Sequence, residues 1–333
     1  MITIAIIGAS GLVGFELLSL IFERNFKHDK LILFASENKE ILLDNKSYEV
    51  FELNSETFKE IKGNRVVVFF CSTSDISKKY IPECEKNGFY SIDNSSAFRL
   101  DPKYPLIVPE INSHCIRPLT ICNPNCSTII LTTALSNIHN NCEIKKIIVS
   151  TYQAISGGGK KALEQLYIQT KEKLEHNKIK TFTPINKQIA FNVFSHESDV
   201  CMSGYNEEEI KLIFETKKIL DPSIHIEPTC IRVPVERAHT ESIYMTFSPK
   251  ININEFYKLL KYTKGVEIVN DNNNNNFPEP IKTSGKDLIQ IGRIREIKND
   301  TLNLSIYSFI ISGDQIRKGA ALNAIQIAEK IFT

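Results

Sequence analysis

"ITIAIIGASGLVGFELLSLIF", residues 2–22, contains a complete strand, turn and helix. Residues 2–7 are a short, apolar, partly β-branched run that stops at Gly8, and beyond Gly11 the pattern becomes that of an apolar helix. Gly8, Gly11 and Gly14 have the spacing of a dinucleotide-binding turn. Such a turn needs one glycine for the tight bend, one to leave room for a pyrophosphate and one for close packing of helix on strand, and the helix start offers N–H groups to phosphate. A bare βα turn without a ligand would look the same, but the position directly after a first strand favours the ligand. Gly8, Ser10, Gly11, Leu12 and Val13 are therefore the candidate cofactor contacts.

"LILFAS" (31–36), "RVVVFFCS" (65–72) and "FYSIDNSS" (89–96) are further strand-like runs at βαβ spacing. They imply an α/β fold with a Rossmann-type, doubly wound parallel sheet. The length of 333 residues suggests two domains. After residue 126 the texture changes: "KKIIVSTYQAISGGGKKALEQL" (145–166) reads as strand, glycine-rich turn and helix. Strand character returns in "CIRVPV" (230–235), "SIYMTFSP" (242–249) and "TLNLSIYSFII" (301–311), and "NEEEIKLIFETKKIL" (206–220) has helical periodicity. This grouping predicts a second, α+β domain with a mixed sheet. The expected division is 1–125 for the dinucleotide domain, with a C-terminal helix within 313–333 packing back on it, and 126–312 for the catalytic and dimerisation domain. The asparagine run 272–276 reads as a solvated loop tip.

With 40 Lys+Arg against 39 Asp+Glu the net charge is +1, which supplies no field for nucleic acid or an acidic membrane. The opening "MITIAIIG" has no basic stretch of a signal peptide, and no apolar run is long enough to span a bilayer, so a cytoplasmic location is expected. The eight cysteines show neither CxxC pairs nor zinc-finger spacing, so neither disulfides nor a metal is expected, and seven of them read as small buried hydrophobes. Cys126 differs. In "ICNPNCSTII" (121–130) it follows a Pro-containing turn and precedes an apolar run, so it stands at a helix start. There the helix dipole and free N–H groups favour the thiolate and would bind an oxyanion formed on an acyl group.

Five further blocks make a resemblance specific: "NPNCST" (123–128), "STYQAISGGG" (150–159), "IDNSSAFRLD" (92–101), "VPEIN" (108–112) and "RVPVERAHTES" (232–242). Together with the glycine turn and "GDQIRKGAALNA" (313–324), the chain resembles the aspartate-semialdehyde dehydrogenases over nearly its whole length. The resemblance implies NADPH-dependent reduction of L-aspartyl 4-phosphate to the semialdehyde and phosphate, in biosynthesis of lysine and diaminopimelate, threonine and methionine. It implies that Cys126 is the nucleophile that forms a thioester and that His239 takes the thiol proton and later returns one. Gln153 would orient the acyl intermediate. Arg232 would hold the substrate carboxylate as a bidentate fork and Glu208 the ammonium, while Arg99 and Lys211 would bind phosphate. Glu208 and Lys211, three apart on a helix, share a face. Ser156, Gly157 and Gln315 would complete the cofactor site, and the family implies a homodimer formed through the second domain.

One departure concerns the cofactor. After the second strand, where many members carry Arg-Ser for the 2′-phosphate of NADP, this chain has Asn38 and Lys39. Lys39 could restore the charge, whereas Glu37 could bond a ribose 2′-hydroxyl as NAD enzymes do. "GGG" at 157–159 replaces the usual Gly-Ala-Gly and is read as harmless. The alternatives are an N-acetyl-γ-glutamyl-phosphate reductase, whose cysteine loop usually has Gly before the Cys, and a non-catalytic dinucleotide-sensing Rossmann protein. Asn125 and Glu208 argue against the first. The joint presence of Cys126, Gln153 and His239 argues against the second.

Overall fold

The computed structural model describes residues 2–176, 178–299 and 303–332. The chain forms two units, residues 1–125 with 320–333 and residues 126–319.

In the first unit, strands β1 (Ile2–Ile7), β2 (Lys30–Ala35), β3 (Lys39–Leu43), β4 (Lys46–Glu52), β5 (Arg65–Phe70), β6 (Tyr90–Asp93) and β7 (Thr120–Cys122) lie in the order β3-β4-β2-β1-β5-β6-β7. All pairings are parallel except β3 with β4. β1 is the centre and is apolar but for Thr3, because helices cover both faces of the sheet. Its side chains alternate. Ile4 and Ile6 pack with Leu17, Leu18 and Ile21 of the first helix (Leu12–Glu23) and with Leu322 and Ile325 of the last (Leu322–Phe332). Ala5 and Ile7 pack instead with Tyr80, Ile81 and Cys84 of the helix Ser74–Lys86. Gly8 ends the strand at φ +86°, and a Cβ there would stand 2.3 Å from the Cys71 carbonyl oxygen, so only glycine fits. A Cβ at Gly14 would meet the Gly8 oxygen at 2.2 Å, which is the close packing the glycine spacing implies.

The β3–β4 hairpin has no counterpart in the sequence reading. Both strands are half exposed and rich in Lys and Glu, and the signal is confined to Asp44-Asn45, which turns the chain at φ +49° and +61°.

In the second unit, β8 (Glu143–Gln153), β9 (Phe194–Ser195), β10 (His225–Arg232), β11 (His239–Ser248), β12 (Val266–Ile268), β13 (Ile289–Glu296) and β14 (Ser305–Gly313) form a mixed sheet, β12-β13-β14-β11-β8-β10-β9. The strand expected over 301–311 thus runs to Gly313, and its residues 301 and 302 lie outside the described residues. The one expected over 230–235 starts earlier, at His225, and stops at Arg232. The helices Cys126–Asn141, Glu207–Ile219 and Ile253–Lys261 cover one sheet face around Ile147, Val149, Ile243 and Phe309. On the other face Ile148 and Tyr152 remain 40% exposed. Asn206 caps the second of these helices reciprocally with Glu209, which pins the turn that carries Glu208.

The cysteines correct one expectation. Cys84, Cys122, Cys142 and Cys230 are buried, but Cys71 is only partly so, and Cys115 and Cys201 are exposed. The latter two lie in short 3-10 segments or loops, whose burial no periodic pattern reports. No helix among the described residues is long and apolar enough to cross a membrane.

Candidate active site

Cys126 is the first residue of its helix and is partly buried. Its Sγ lies 3.4 Å from Nε2 of His239, the first residue of β11. The preceding residue, Ala238, is held at φ +73°, a strained conformation for a side chain with a Cβ, and its N–H is bound by Gln315 Oε1 at 2.7 Å. Gln315 Nε2 donates to Ser156 Oγ at 2.7 Å, and Ser156 Oγ in turn donates to the Glu236 carbonyl. Gln315 thus braces the glycine-rich turn and the histidine's approach together.

His239 is wholly buried, and its Nδ1 accepts the Ala154 backbone N–H at 3.0 Å. A backbone N–H can only donate, so Nδ1 carries no proton and the neutral ring must carry its proton on Nε2. His239 therefore presents a donor to sulfur. Burial, and then the Arg232 charge, push its pKa down to about 3, so the ring stays neutral. In this geometry Nε2 faces the sulfur and Nδ1 is turned away to the backbone.

Gln153, the last residue of β8, donates through Nε2 to Ser127 Oγ at 2.7 Å and to Glu208 Oε1 at 3.0 Å. Its Oε1 is buried without a hydrogen-bond partner. Glu208 is buried and paired with Lys211 at 3.4 Å. Arg232, at the end of β10 and 3% exposed, is not an open fork. Its Nε and Nη2 bind Glu197 at 3.0 and 2.6 Å, Nη2 also meets His196 Nε2 at 2.7 Å, and Nη1 donates to the Ala154 carbonyl at 2.9 Å. His196 and Glu197 were missed because "FSHESD" (194–199) has no periodicity and belongs to a two-residue edge strand and a loop. The expected bidentate grip on substrate by Arg232 meets a side-on edge already filled by Glu197.

Gly157 explains itself spatially. A Cβ there would stand 3.1 Å from Arg232 Nη1 and 3.4 Å from the His239 ring, in the space those two side chains share. At Gly158 a Cβ would stand 3.0 Å from the Ala162 Cβ, tight but away from both. Cys126, Gln153, Ser156, Gly157, Glu208, Lys211, Arg232, His239 and Gln315 all belong to the second unit.

In the first unit Gly8, Ser10, Gly11, Ser36, Ser72 and Thr73 line a cleft of about 400 Å³. Gly11 begins the first helix with no side-chain cap, which leaves its N–H groups to phosphate, so the turn suits a dinucleotide. Leu12 and Val13 form the first helical turn. Asn38 is tied to the Glu52 N–H at 2.7 Å, and Lys39, opening β3, is paired with Glu37 at 2.7 Å. That pairing holds the Glu37 carboxyl below its ordinary range. Arg99 is buried in this unit and donates to the carbonyls of Asn123 and Asn94 at 2.9 and 2.6 Å.

This architecture defines a two-domain dehydrogenase built on a dinucleotide-binding sheet. Residues 3–118 match the model of the semialdehyde dehydrogenase NAD binding domain, and residues 135–318 that of the semialdehyde dehydrogenase dimerisation domain. An aspartate-semialdehyde dehydrogenase of Aquifex aeolicus is 41% identical, with 98% of this chain and 96% of that protein covered. The crystal structure of aspartate semialdehyde dehydrogenase II from Vibrio cholerae superposes with TM-score 0.91 at 35% identity, covering 99% of this chain and 98% of that one. A second structure of it, complexed with ASA, matches equally, at 34% identity and TM-score 0.91 over 99% and 98%. The chain belongs to the aspartate-semialdehyde dehydrogenase family. It is an oxidoreductase of amino-acid biosynthesis that uses a nicotinamide dinucleotide.

Proposed function

We propose that the chain reduces L-aspartyl 4-phosphate to L-aspartate 4-semialdehyde and phosphate with NADPH, through a thioester on Cys126, as a cytoplasmic homodimer. The observation that carries the reading is the contact of Cys126 Sγ, at a helix start, with a histidine nitrogen whose proton is fixed by the backbone. The match to a dimerisation domain and the half-exposed sheet face at Ile148 and Tyr152 support the homodimer.

The Cys126 thiol gives its proton to solvent, and the thiolate attacks the acyl carbon. The carbon–sulfur bond forms as the bond to the phosphate oxygen breaks, and N–H groups of the helix start stabilise the oxyanion passed on the way. His239 Nε2–H donates to sulfur before the attack and again when the thiolate is expelled, acting as a neutral hydrogen-bond donor rather than a base. Gln153 steadies the acyl group, Glu208 takes the substrate ammonium, Arg232 its carboxylate and Lys211 the phosphate, a role the resemblance also assigns to Arg99. Gly8, Ser10, Gly11, Leu12 and Val13 would hold a nicotinamide dinucleotide, which would supply the hydride that reduces the acyl group, and the resemblance assigns Ser156 and Gly157 to the same cofactor. Gln315 serves that site through its hold on Ser156. The test is phosphate-dependent reduction of NADP and NAD by L-aspartate semialdehyde, run beside N-acetyl-glutamate semialdehyde. Turnover of the acetylated substrate alone would move the chain to the reductase class.

Preference for NADP rests on Lys39, which Glu37 holds in an exposed pair while Asn38 is engaged with the backbone. A solvent-exposed lysine contributes modestly, so the preference for NADP over NAD is expected to be about tenfold or less. Lys39→Ala should erase it and Glu37→Gln, which frees the lysine, should widen it. Ratios of kcat/KM for the two nucleotides that stayed constant across both variants would remove Lys39 from the cofactor site.

A further inference from the structure

The guanidinium of Arg232 is fixed on every side but one. Glu197 takes the Nε and Nη2 edge through both carboxylate oxygens, His196 Nε2 accepts from Nη2, and the Ala154 carbonyl accepts from Nη1. Of the five N–H bonds an arginine has, one on Nη1 is left among these contacts. Nη1 is also the atom nearest the point where a Cβ would stand at Gly157, a point 3.6 Å from His239 Nε2. The remaining donor therefore belongs to the nitrogen that borders the space shared with the histidine. The same residue, Ala154, holds Arg232 through its carbonyl and His239 through its N–H. Nη2 can only donate, so His196 Nε2 is its acceptor, and His196 Nδ1 faces Ser198 Oγ at 3.1 Å and the Ser198 backbone N at 3.3 Å.

We propose that Glu197, backed by His196, is a positioning residue for substrate recognition: it locks the Arg232 guanidinium side-on, so that the substrate carboxylate is met by Nη1 alone, in the space above Gly157. This rests on the reading of Arg232 as the carboxylate ligand. The alternative role for the same contact is that of a competitor, in which Glu197 occupies the place of the substrate carboxylate and must leave. The side chain of Glu197 is 23% exposed and that of Arg232 3%, so Glu197 substitutions change the edge of the site and spare the core. The cradle favours positioning over competition because three separate acceptors, two of them not carboxylates, agree on one guanidinium orientation. Glu208 and Lys211, also assigned to the site, pair with each other.

The test uses L-aspartate semialdehyde and 3-aminopropanal, which has the same aldehyde and amine without the carboxylate. Glu197→Gln and Glu197→Ala are expected to raise KM for aspartate semialdehyde about tenfold, with kcat within about threefold and KM for phosphate unchanged. Kinetics with 3-aminopropanal should hardly move, so that discrimination between the two aldehydes narrows. A merely structural role would shift both aldehydes together, and a competitor role would lower KM for aspartate semialdehyde; either result overturns the proposal. Arg232→Ala is the control for the underlying reading. If it fails to raise KM for aspartate semialdehyde, the carboxylate role of Arg232 is wrong whatever Glu197 does. If it raises KM while the Glu197 variants do not, only the positioning role falls.

Discussion

Cys126→Ser is expected to lower kcat by ~10⁴-fold or more while leaving nucleotide binding and the thermal midpoint almost unchanged. A serine hydroxyl stays protonated where a thiol ionises, and the hydrogen bond from His239 Nε2–H cannot remove its proton, since that nitrogen is itself a donor. The helix start stays intact because Cys126 is its first residue and only partly buried, so the smaller oxygen leaves little void. Stopped-flow and steady-state rates against nucleotide titration separate the two effects. Residual activity within a hundredfold of wild type would place the nucleophile elsewhere. The buried cysteines give the contrast: Cys84→Ala and Cys230→Ala remove side chains from packed cores, so they should lower the thermal midpoint and leave kcat nearly alone.

The second large effect is expected from His239→Ala, a loss of ~10²–10⁴-fold in kcat, the range for removing a group that assists proton-coupled steps or stabilises developing charge. This residue also leaves a signature in stability. Its folded pKa is pushed down to about 3 from an ordinary 6.5, so between those values the unfolded chain binds a proton that the native chain does not. Native stability therefore falls as pH drops from 6.5 toward 3, and the His239→Ala variant should show a flatter decline across that window. With the ring neutral down to about pH 3, the titration of His239 itself should put no acid limb on kcat/KM above that pH; a limb near pH 6.5 that disappears in His239→Ala would contradict the lowered pKa. Thermal denaturation and pH–rate profiles of both proteins decide this together. An identical pH dependence of stability in the two would contradict the buried, neutral ring.

The parts of the fold that were legible in the sequence are those buried on both sides. β1, but for Thr3, and β5, after Arg65, are apolar runs, and a glycine with φ +86° closes the first of them, so strand, turn and helix follow from residue types alone. The hairpin of β3 and β4 was illegible because its alternation is masked by lysines and glutamates on a half-exposed edge. At the site, Cys126 and His239 were reachable through their motifs, whereas the direction of the hydrogen bond between them was not. That direction depends on the Ala154 N–H, which becomes a neighbour of the histidine only when β8 pairs with β11. Glu197 was out of reach for a similar reason: it approaches Arg232 from another segment, 35 residues away in sequence, through the short pairing of β9 with β10. Spacing patterns report which side chains share a face of one element. They do not report which loop is folded against it.

A covalent intermediate on Cys126 can be trapped directly. The enzyme is mixed with L-aspartate semialdehyde and NADP in the absence of phosphate, reduced nucleotide is followed from the first turnover, and the quenched protein is digested and weighed. The expected result is a burst of about one reduced nucleotide per active site, an aspartyl group on the peptide that contains Cys126, and steady turnover once phosphate is added. Continuous turnover without phosphate, or a burst that leaves Cys126 unmodified, would contradict a thioester route through this cysteine.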